Sequence, residues 1–424
     1  MKVLLLTPSL DRPGGIQRYT TTIARALKDL LGDQSVRTVT VAEDSILTEK
    51  KRLSARSKWR FGWQAAREVI RWRPDLIICA HLALGPVGRL LATVGRRPYW
   101  IVVHGIEAWV PLPMAKRIAL RHADRVIVSS LLNRELVTNR QRIKPDRIAS
   151  LPCTVDECLT AVQPARTGPH QALTDGQQVV LTVARMDASE QYKGHDVVLR
   201  ALPSVLTCVP NLAYVIVGDG DDRSRIEALT DGLGLRPHVI FTGRVSDAEL
   251  VALYKRCDVF ALPARTVLTD HQTKGEGFGI VFLEAMAFGK PVIGPNSGAP
   301  AEVIRDQHQG LLVNPEDSKE VAGALVELLT NPGKARAMGQ AGSDWVRQRY
   351  SYASFRDGLG EMLVDQVPQR QSSLSPNPQC TVLKASTLWE ALFVLWVIVV
   401  NILYFAQFKA LILARLGQLI HRWR

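Results

Sequence analysis

Residues 179–185 read VVLTVAR, an unbroken apolar run closed by an arginine. They follow ECLTAVQPARTGPHQALTDG (157–176), a stretch too rich in Pro, Gly and Thr to continue a strand or helix. The run restarts a pattern already present upstream in KVLLLTP (2–8), RTVTVA (37–42), DLIICA (75–80), YWIVVHG (99–105), DRVIVSS (124–130) and RIASLP (147–152). Downstream it continues through AYVIVGDG (213–220), HVIFTGR (238–244), DVFALPA (258–264) and KPVIGP (290–295), with helical stretches between. These runs are continuously apolar rather than alternating, as parallel strands covered on both faces must be. The spacing therefore predicts an α/β chain of two Rossmann-like, doubly wound domains, 1–165 and 176–362, facing a cleft. In such sheets ligands bind beyond the carboxyl ends of the strands.

The composition agrees with that size of architecture. The chain has 424 residues, 46% of them apolar, enough for two or three cores and too many for a disordered or collagen-like chain. Its formal charge of +13 favours an acidic partner: nucleic acid, anionic lipid or a phosphorylated small molecule. The six cysteines form no CxxC pair, which argues against a zinc cluster or a disulfide scaffold and for a reducing compartment. The opening MKVLLLTPSL has too short an apolar run for a signal peptide and reads as a buried first strand.

A third region begins at a polar tether, 365–387, which includes VPQRQSSLSPNPQC (367–380). Beyond it LWEALFVLWVIVVNILYFAQF (388–408) is long enough to span a hydrocarbon core, and the basic, amphipathic KALILARLGQLIHRWR (409–424) completes an expected membrane anchor, 388–424. A full span would carry the basic tail across the membrane, against the positive-inside tendency, so an in-plane or re-entrant anchor is expected. A second basic, aromatic segment, EKKRLSARSKWRFGWQAAREVIRWR (49–73), is a solvated face in the bland reading. The favoured reading is docking to anionic membrane lipid; no nucleic acid is expected, since no RNA- or DNA-binding module accompanies it.

Several strand ends carry candidate chemistry. In PGGIQRY (13–19) the glycines let backbone amides approach an anion at a helix N-terminus, although an ordinary tight turn reads the same way. VARMDASEQYKGHD (183–196) places Arg185 at a strand end and Lys193 before Gly194, two cations suited to a diphosphate. His104 ends WIVVHG, and Glu107 in the next turn is a surface or a cleft residue. GDGDD (218–222) reads as a turn rather than a metal site, so no metal and no cofactor is expected. In GEGFGIVFLEA (275–285), Glu276 and Glu284 are either solvated charges or ligands of a common substrate.

Taken together, Arg185 with Lys193-Gly194, Gly14-Gly15, His104-Gly105 and GRVSDAEL (243–250) resemble the retaining glycosyltransferases of family 4, also called glycosyl transferases group 1. The most specific part is Glu276-x7-Glu284 followed by AMAFGKPVI and Ser297-Gly298-Ala299; the likeness covers roughly residues 1–360. The resemblance implies the GT-B fold and a final helix, near 341–362, that crosses back to the first domain. It implies that Glu284 accepts hydrogen bonds from the donor ribose and that Glu276 approaches the transferred sugar. The backbone of Gly277, Phe278, Gly279 and Ile280 would wrap the sugar and phosphate, and Gly14 and Gly15 would close on the phosphates. Arg185 and Lys193 would hold the diphosphate, His104 would lie near the anomeric centre, and the base would bind near Gly243 and Arg244. LPCTVD (151–156) and the long polar loop PARTVLTDHQTKGEGFG (263–279), with Asp270, His271 and Lys274, depart from the family pattern and leave the donor open.

The function so implied is metal-independent, retaining transfer of a hexose from a UDP- or GDP-sugar to a lipid-linked or glycan acceptor, with the catalytic domains on the cytoplasmic side of a membrane. The rivals are a nucleotide-sugar epimerase or hydrolase, and a silent nucleotide-sugar-binding scaffold.

Overall fold

The computed structural model describes residues 1–8, 14–41, 55–155, 157–269 and 273–365. The expected anchor and nearly all of the tether, the start of the basic segment (49–54), Asp156, Asp270 and His271 lie outside the described residues.

Two six-stranded parallel sheets form the chain. The first contains β1 (Val3–Thr7), β2 (Val36–Thr40), β3 (Leu76–Cys79), β4 (Tyr99–Val103), β5 (Arg125–Val128) and β6 (Ile148–Ser150), in the order β2-β1-β3-β4-β5-β6. The second contains β7 (Gln178–Val183), β8 (Leu212–Val217), β9 (Val239–Gly243) and β10 (Val259–Ala261). After a small antiparallel hairpin, β11 (Val267–Leu268) and β12 (Thr273–Lys274), it adds β13 (Val292–Pro295) and β14 (Gly310–Val313), in the order β14-β13-β10-β7-β8-β9. Strand order reverses at β1/β3 and at β7/β10, and these switch points set the crevices where a ligand sits.

Burial explains why most of this was readable. Inner strands such as VLLLT of β1 and LAYVIV of β8 are buried at every position, whereas edge strand β2, VRTVT, is buried only at Val36 and Val39. Two elements escaped the apolar pattern: β14, only four residues long, and the hairpin, whose strands are two residues each. Gly310 opens β14 because the strand lies close on β13; a Cβ there would stand 2.1 Å from the Val292 carbonyl.

The expected final helix is two helices, Pro332–Arg349 and Tyr352–Val364, and only the second crosses back. It packs on the first-domain helix Gly15–Leu31: the Tyr352 hydroxyl bonds Asp29, Arg25 lies 4.0 Å over the Tyr352 ring, and Phe355 meets Tyr19 edge-on. At the break, the Tyr350 carbonyl accepts hydrogen bonds from the Thr154 hydroxyl (2.5 Å) and the Val155 amide (3.3 Å). A single buried cluster runs from Leu5, Ile78 and Trp100 through Tyr350 and Phe355 to Leu181, Phe260 and Phe282. The crossing therefore joins the two cores.

Candidate active site between the two domains

On the second domain the site begins where β7 ends. The loop Ala184–Gly194 leaves the sheet at its switch point, and Gly194 starts the helix His195–Cys208. Gly194 is at φ +80°, and a Cβ there would meet the Pro263 carbonyl at 2.2 Å. Only glycine lets the loop lie so close to the end of β10. Lys193, just before it, is largely buried and ion-paired with Glu276. Arg185 is mostly exposed and paired with Glu190, so its guanidinium and the Lys193 ammonium each engage their own carboxylate. Between them stands Tyr192, whose ring centroid is 5.3 Å from the Lys193 ammonium. Burial first, then the fields of Glu276 and Glu190, pushes its phenol well up and keeps it neutral.

The segment Gly275–Ala285 supplies the two glutamates. Gly279, at φ +95°, turns the chain into the helix Ile280–Ala287. Glu284 lies on that helix but faces inward, only 2% exposed, so the bland reading of an outward charge fails. One of its oxygens accepts a 2.9 Å bond from the Tyr254 hydroxyl, and the other is ion-paired with Arg18 of the first domain. Arg18 also lies 3.6 Å from Asp247. The Glu276 side chain is 14% exposed and likewise is no solvated loop charge. The Phe278 ring is buried edge-on against Tyr350, so only its backbone is available to a substrate. Gly243 ends β9 at φ +68° and accepts from the Gly218 amide, and Arg244 follows it on the surface. The aspartates of GDGDD are used structurally: Asp221 accepts from the Ala188 amide, and Asp222 holds Arg225 and Gln191.

The first domain faces this wall with Gly14, Gly15 and His104. Gly15 begins a helix, and a Cβ on it would lie 3.5 Å from the Ile280 side chain, which brings the glycine turn against the donor-side helix. His104, one residue past β4, donates from Nε2 to the Ala80 carbonyl (2.8 Å), leaving Nδ1 as the acceptor. Its amide donates to Glu107 (2.6 Å), so that carboxylate is tied to the turn after β4. His81 stacks on the His104 ring at 5.7 Å, and Tyr19 meets it edge-on at 5.5 Å. Burial holds both imidazoles below the usual range, hence neutral at pH 7. Across the cleft, a Cβ on Gly277 would stand 2.4 Å from the His104 carbonyl, so the two loops touch backbone to backbone.

The structure thus brings Gly15 against the helix that carries Glu284, and the His104 loop against Gly277 beside the Glu276–Lys193 pair, with Arg185 exposed at the end of β7 and Gly243-Arg244 two strands away along the sheet. Sequence reasoning overlooked Arg18, Tyr192 and Tyr254. Arg18 stands in PGGIQRY one helical turn after Gly14, but its partner Glu284 lies 266 residues on, in the other domain.

Comparison with known proteins agrees with this geometry. Residues 13–157 match the model of Glycosyltransferase Family 4, and residues 169–345 match that of Glycosyl transferases group 1. The GDP-mannose-dependent alpha-(1-6)-phosphatidylinositol monomannoside mannosyltransferase of Mycolicibacterium smegmatis is 33% identical over 303 residues, 68% of this chain and 75% of that protein. The phosphatidyl-myo-inositol mannosyltransferase of the same organism is 28% identical over 353 residues, 78% of this chain and 85% of that protein. Among solved structures, HepE from Anabaena in complex with UDP superposes with a TM-score of 0.67 at 20% identity, covering 86% of this chain and all of that one. Sucrose-phosphate synthase from Thermosynechococcus elongatus gives 0.68 at 20% identity, covering 87% of this chain and all of that one. The chain is a GT-B glycosyltransferase and belongs to glycosyltransferase family 4, the glycosyl transferases group 1.

Proposed function

We propose that this glycosyltransferase moves a hexose, with retention and without a metal, from a nucleoside-diphosphate sugar to a lipid-linked acceptor of the phosphoinositide type. The observation that carries the reading is the arrangement of Glu276 and Glu284: two enclosed carboxylates eight residues apart, the first paired with Lys193 of the second domain and the second with Arg18 of the first. GDP-mannose is the first donor to test, because the relatives at 32–33% identity are named for it.

In this reading Glu284 accepts the ribose hydroxyls in exchange for part of its bond to Arg18, and Arg185 and Lys193 turn to the diphosphate. The base lies near Gly243 and Arg244. Gly14 and Gly15, at a helix N-terminus, approach the phosphates from the first domain. The backbone from Gly277 to Ile280 wraps the sugar, with Glu276 and His104 beside it. As the bond from the anomeric carbon to the phosphate oxygen breaks, its electron pair stays on the diphosphate, where Arg185 and Lys193 stabilise it. The acceptor oxygen bonds the same face of the oxocarbenium-like carbon, and its proton passes to the departing phosphate oxygen. Chain cations supply the neutralisation, so the step does not call on a metal.

The acceptor side suits a membrane. The helix Ala55–Arg71 buries Phe61, Ala65 and Val69 against the first domain, yet Trp59 (49%), Trp63 (47%) and Ile70 (51%) are exposed along its opposite stripe. Lys58, Arg60, Arg67 and Arg71 surround them, a pattern for aromatic rings at headgroup level and cations on anionic lipid phosphates. No helix among the described residues is long and apolar enough to cross a membrane. The reading places the catalytic domains on the cytoplasmic face, with 388–424 as a further attachment.

Calorimetry of the full chain in detergent with GDP, UDP and ADP, beside Glu284→Gln, tests the proposal. One nucleotide should bind tightly and lose about 10- to 100-fold in the variant, as for one hydrogen bond to a charged group of about 1.5–3 kcal/mol. Failure of all three to bind the folded protein would sink it.

A further inference from the structure

The helix Leu131–Gln141 of the first domain presents its N-terminus to the second. Asn133, in its first turn, is fully buried. Its Oδ1 accepts from the Trp109 indole at 2.7 Å, which fixes the orientation of the amide. Nδ2 must then point the other way, and it donates to the Gly277 carbonyl across the cleft at 3.0 Å and to Ser129 Oγ at 3.1 Å. The His104 carbonyl lies 3.4 Å from the same nitrogen. Ser130 Oγ donates to the Gly277 carbonyl as well, at 3.2 Å. Alongside, the Glu302 carboxylate of the second domain accepts from the Leu131 and Leu132 amides at 2.6 and 2.7 Å. One side-chain amide therefore touches the loop that carries His104 and the carbonyl of Gly277, the residue after Glu276.

We propose that Asn133 is a positioning residue for sugar transfer: its amide holds the Gly277-Phe278 peptide against the His104 loop when the two domains meet, and so sets the adjoining Glu276 on the donor sugar. The inference rests on the donor-site reading above. Ser129 Oγ and the His104 carbonyl both lie within the first domain, so each of the two Nδ2 hydrogens keeps an acceptor when Gly277 moves away, and the contact is reversible. The Gly277 carbonyl receives two first-domain donors, which makes it the point where closure is transmitted to Glu276. None of these atoms contacts Arg185, Lys193 or Glu284, so nucleotide affinity and turnover separate in a test.

The test uses full-length protein in detergent, GDP-mannose as donor and phosphatidylinositol as acceptor, with GDP affinity by calorimetry. Asn133→Asp keeps the shape and the Trp109 bond but turns a carboxylate oxygen toward the Gly277 carbonyl. It should lower kcat by at least about 30-fold with the GDP Kd within about threefold of the parent, and Ser130→Ala should lower kcat by about 3- to 10-fold with the same Kd. Should Asn133→Asp fail to fold, Ser130→Ala decides alone. Unchanged kcat in the folded variants, or a GDP Kd that weakens as much as kcat falls, overturns the proposal. A parent enzyme that binds none of GDP, UDP and ADP would instead fail the donor-site reading itself.

Discussion

Removing the Tyr254 hydroxyl isolates what holds Glu284 in place. Tyr254→Phe keeps the ring stacked on Phe288 (centroids 5.4 Å apart) and tilted on Phe260 (6.2 Å), so packing is preserved and only the 2.9 Å bond to Glu284 is lost. The bond joins a fully buried phenol to a carboxylate that is 2% exposed. A hydrogen bond to a charged group is worth about 1.5–3 kcal/mol, and a buried acceptor left short of a donor adds to the loss. A loss of about 2 kcal/mol lowers the melting temperature of a domain this size by about 4–8 °C. The variant should also bind GDP about 3- to 10-fold more weakly, because one Glu284 oxygen is no longer tethered. Differential scanning calorimetry and GDP titration measure both quantities. In a Glu284→Gln background the same change should cost less than half as much, since the charge that strengthens the bond is gone. Equal losses in both backgrounds, or a melting temperature within about 1 °C of the parent with unchanged GDP affinity, would refute the assignment.

Two further outcomes follow from the same structure. Burial, and secondarily Lys193, brings the His195 imidazole from an ordinary 6.5 down to about 4, so the fold holds it neutral. Its contribution is complete above pH 6.5 and is lost as pH falls toward 4, about 3 kcal/mol in all, so His195→Gln should flatten the stability–pH curve by about that amount in urea titrations. An unchanged slope would contradict the burial argument. In vesicle flotation with phosphatidylserine-rich membranes, Trp59→Ala/Trp63→Ala should weaken binding of the full chain by about 30-fold, from the half of each ring still available for burial at about 1 kcal/mol apiece. Binding equal to the parent's would remove that helix from the membrane contact.

What the sequence disclosed depended on range. The inner strands were legible because burial on both faces makes them continuously apolar, and the glycine turns because their backbone geometry leaves little choice of residue. β14 and the hairpin were missed because four- and two-residue strands carry too little pattern. The final helix was read as one although Ser351 is a helix-start signal: its hydroxyl caps the second helix by accepting from the Ser354 amide, while Thr154 and Val155 capture the Tyr350 carbonyl. Glu276 and Glu284 were singled out by the family resemblance that the Glu276-x7-Glu284 block carries. Arg18 and Asn133 were not, because their partners lie 266 and 144 residues away and no local pattern encodes such a contact.

The charge pairs around Glu276 and Glu284 bear on how a donor would bind. Glu284 is paired with Arg18, Glu276 with Lys193 and Glu190 with Arg185, so the described acids around the donor position are matched to cations. Ribose hydroxyls are neutral and cannot compensate a carboxylate as enclosed as Glu284, and an enclosed charge stripped of its partner costs several kcal/mol. Under the proposed donor role Arg18 therefore stays within reach of Glu284 while the ribose takes only part of the carboxylate. The incoming diphosphate brings its own negative charge, so under the same rule Arg185 and Lys193 reach it while still sharing Glu190 and Glu276, whose side chains are too enclosed to be left unpaired. Arg18 belongs to the first domain, and the other two cations to the second. A ribose bound to Glu284 beside Arg18 thus ties the nucleotide to both domains through that pair.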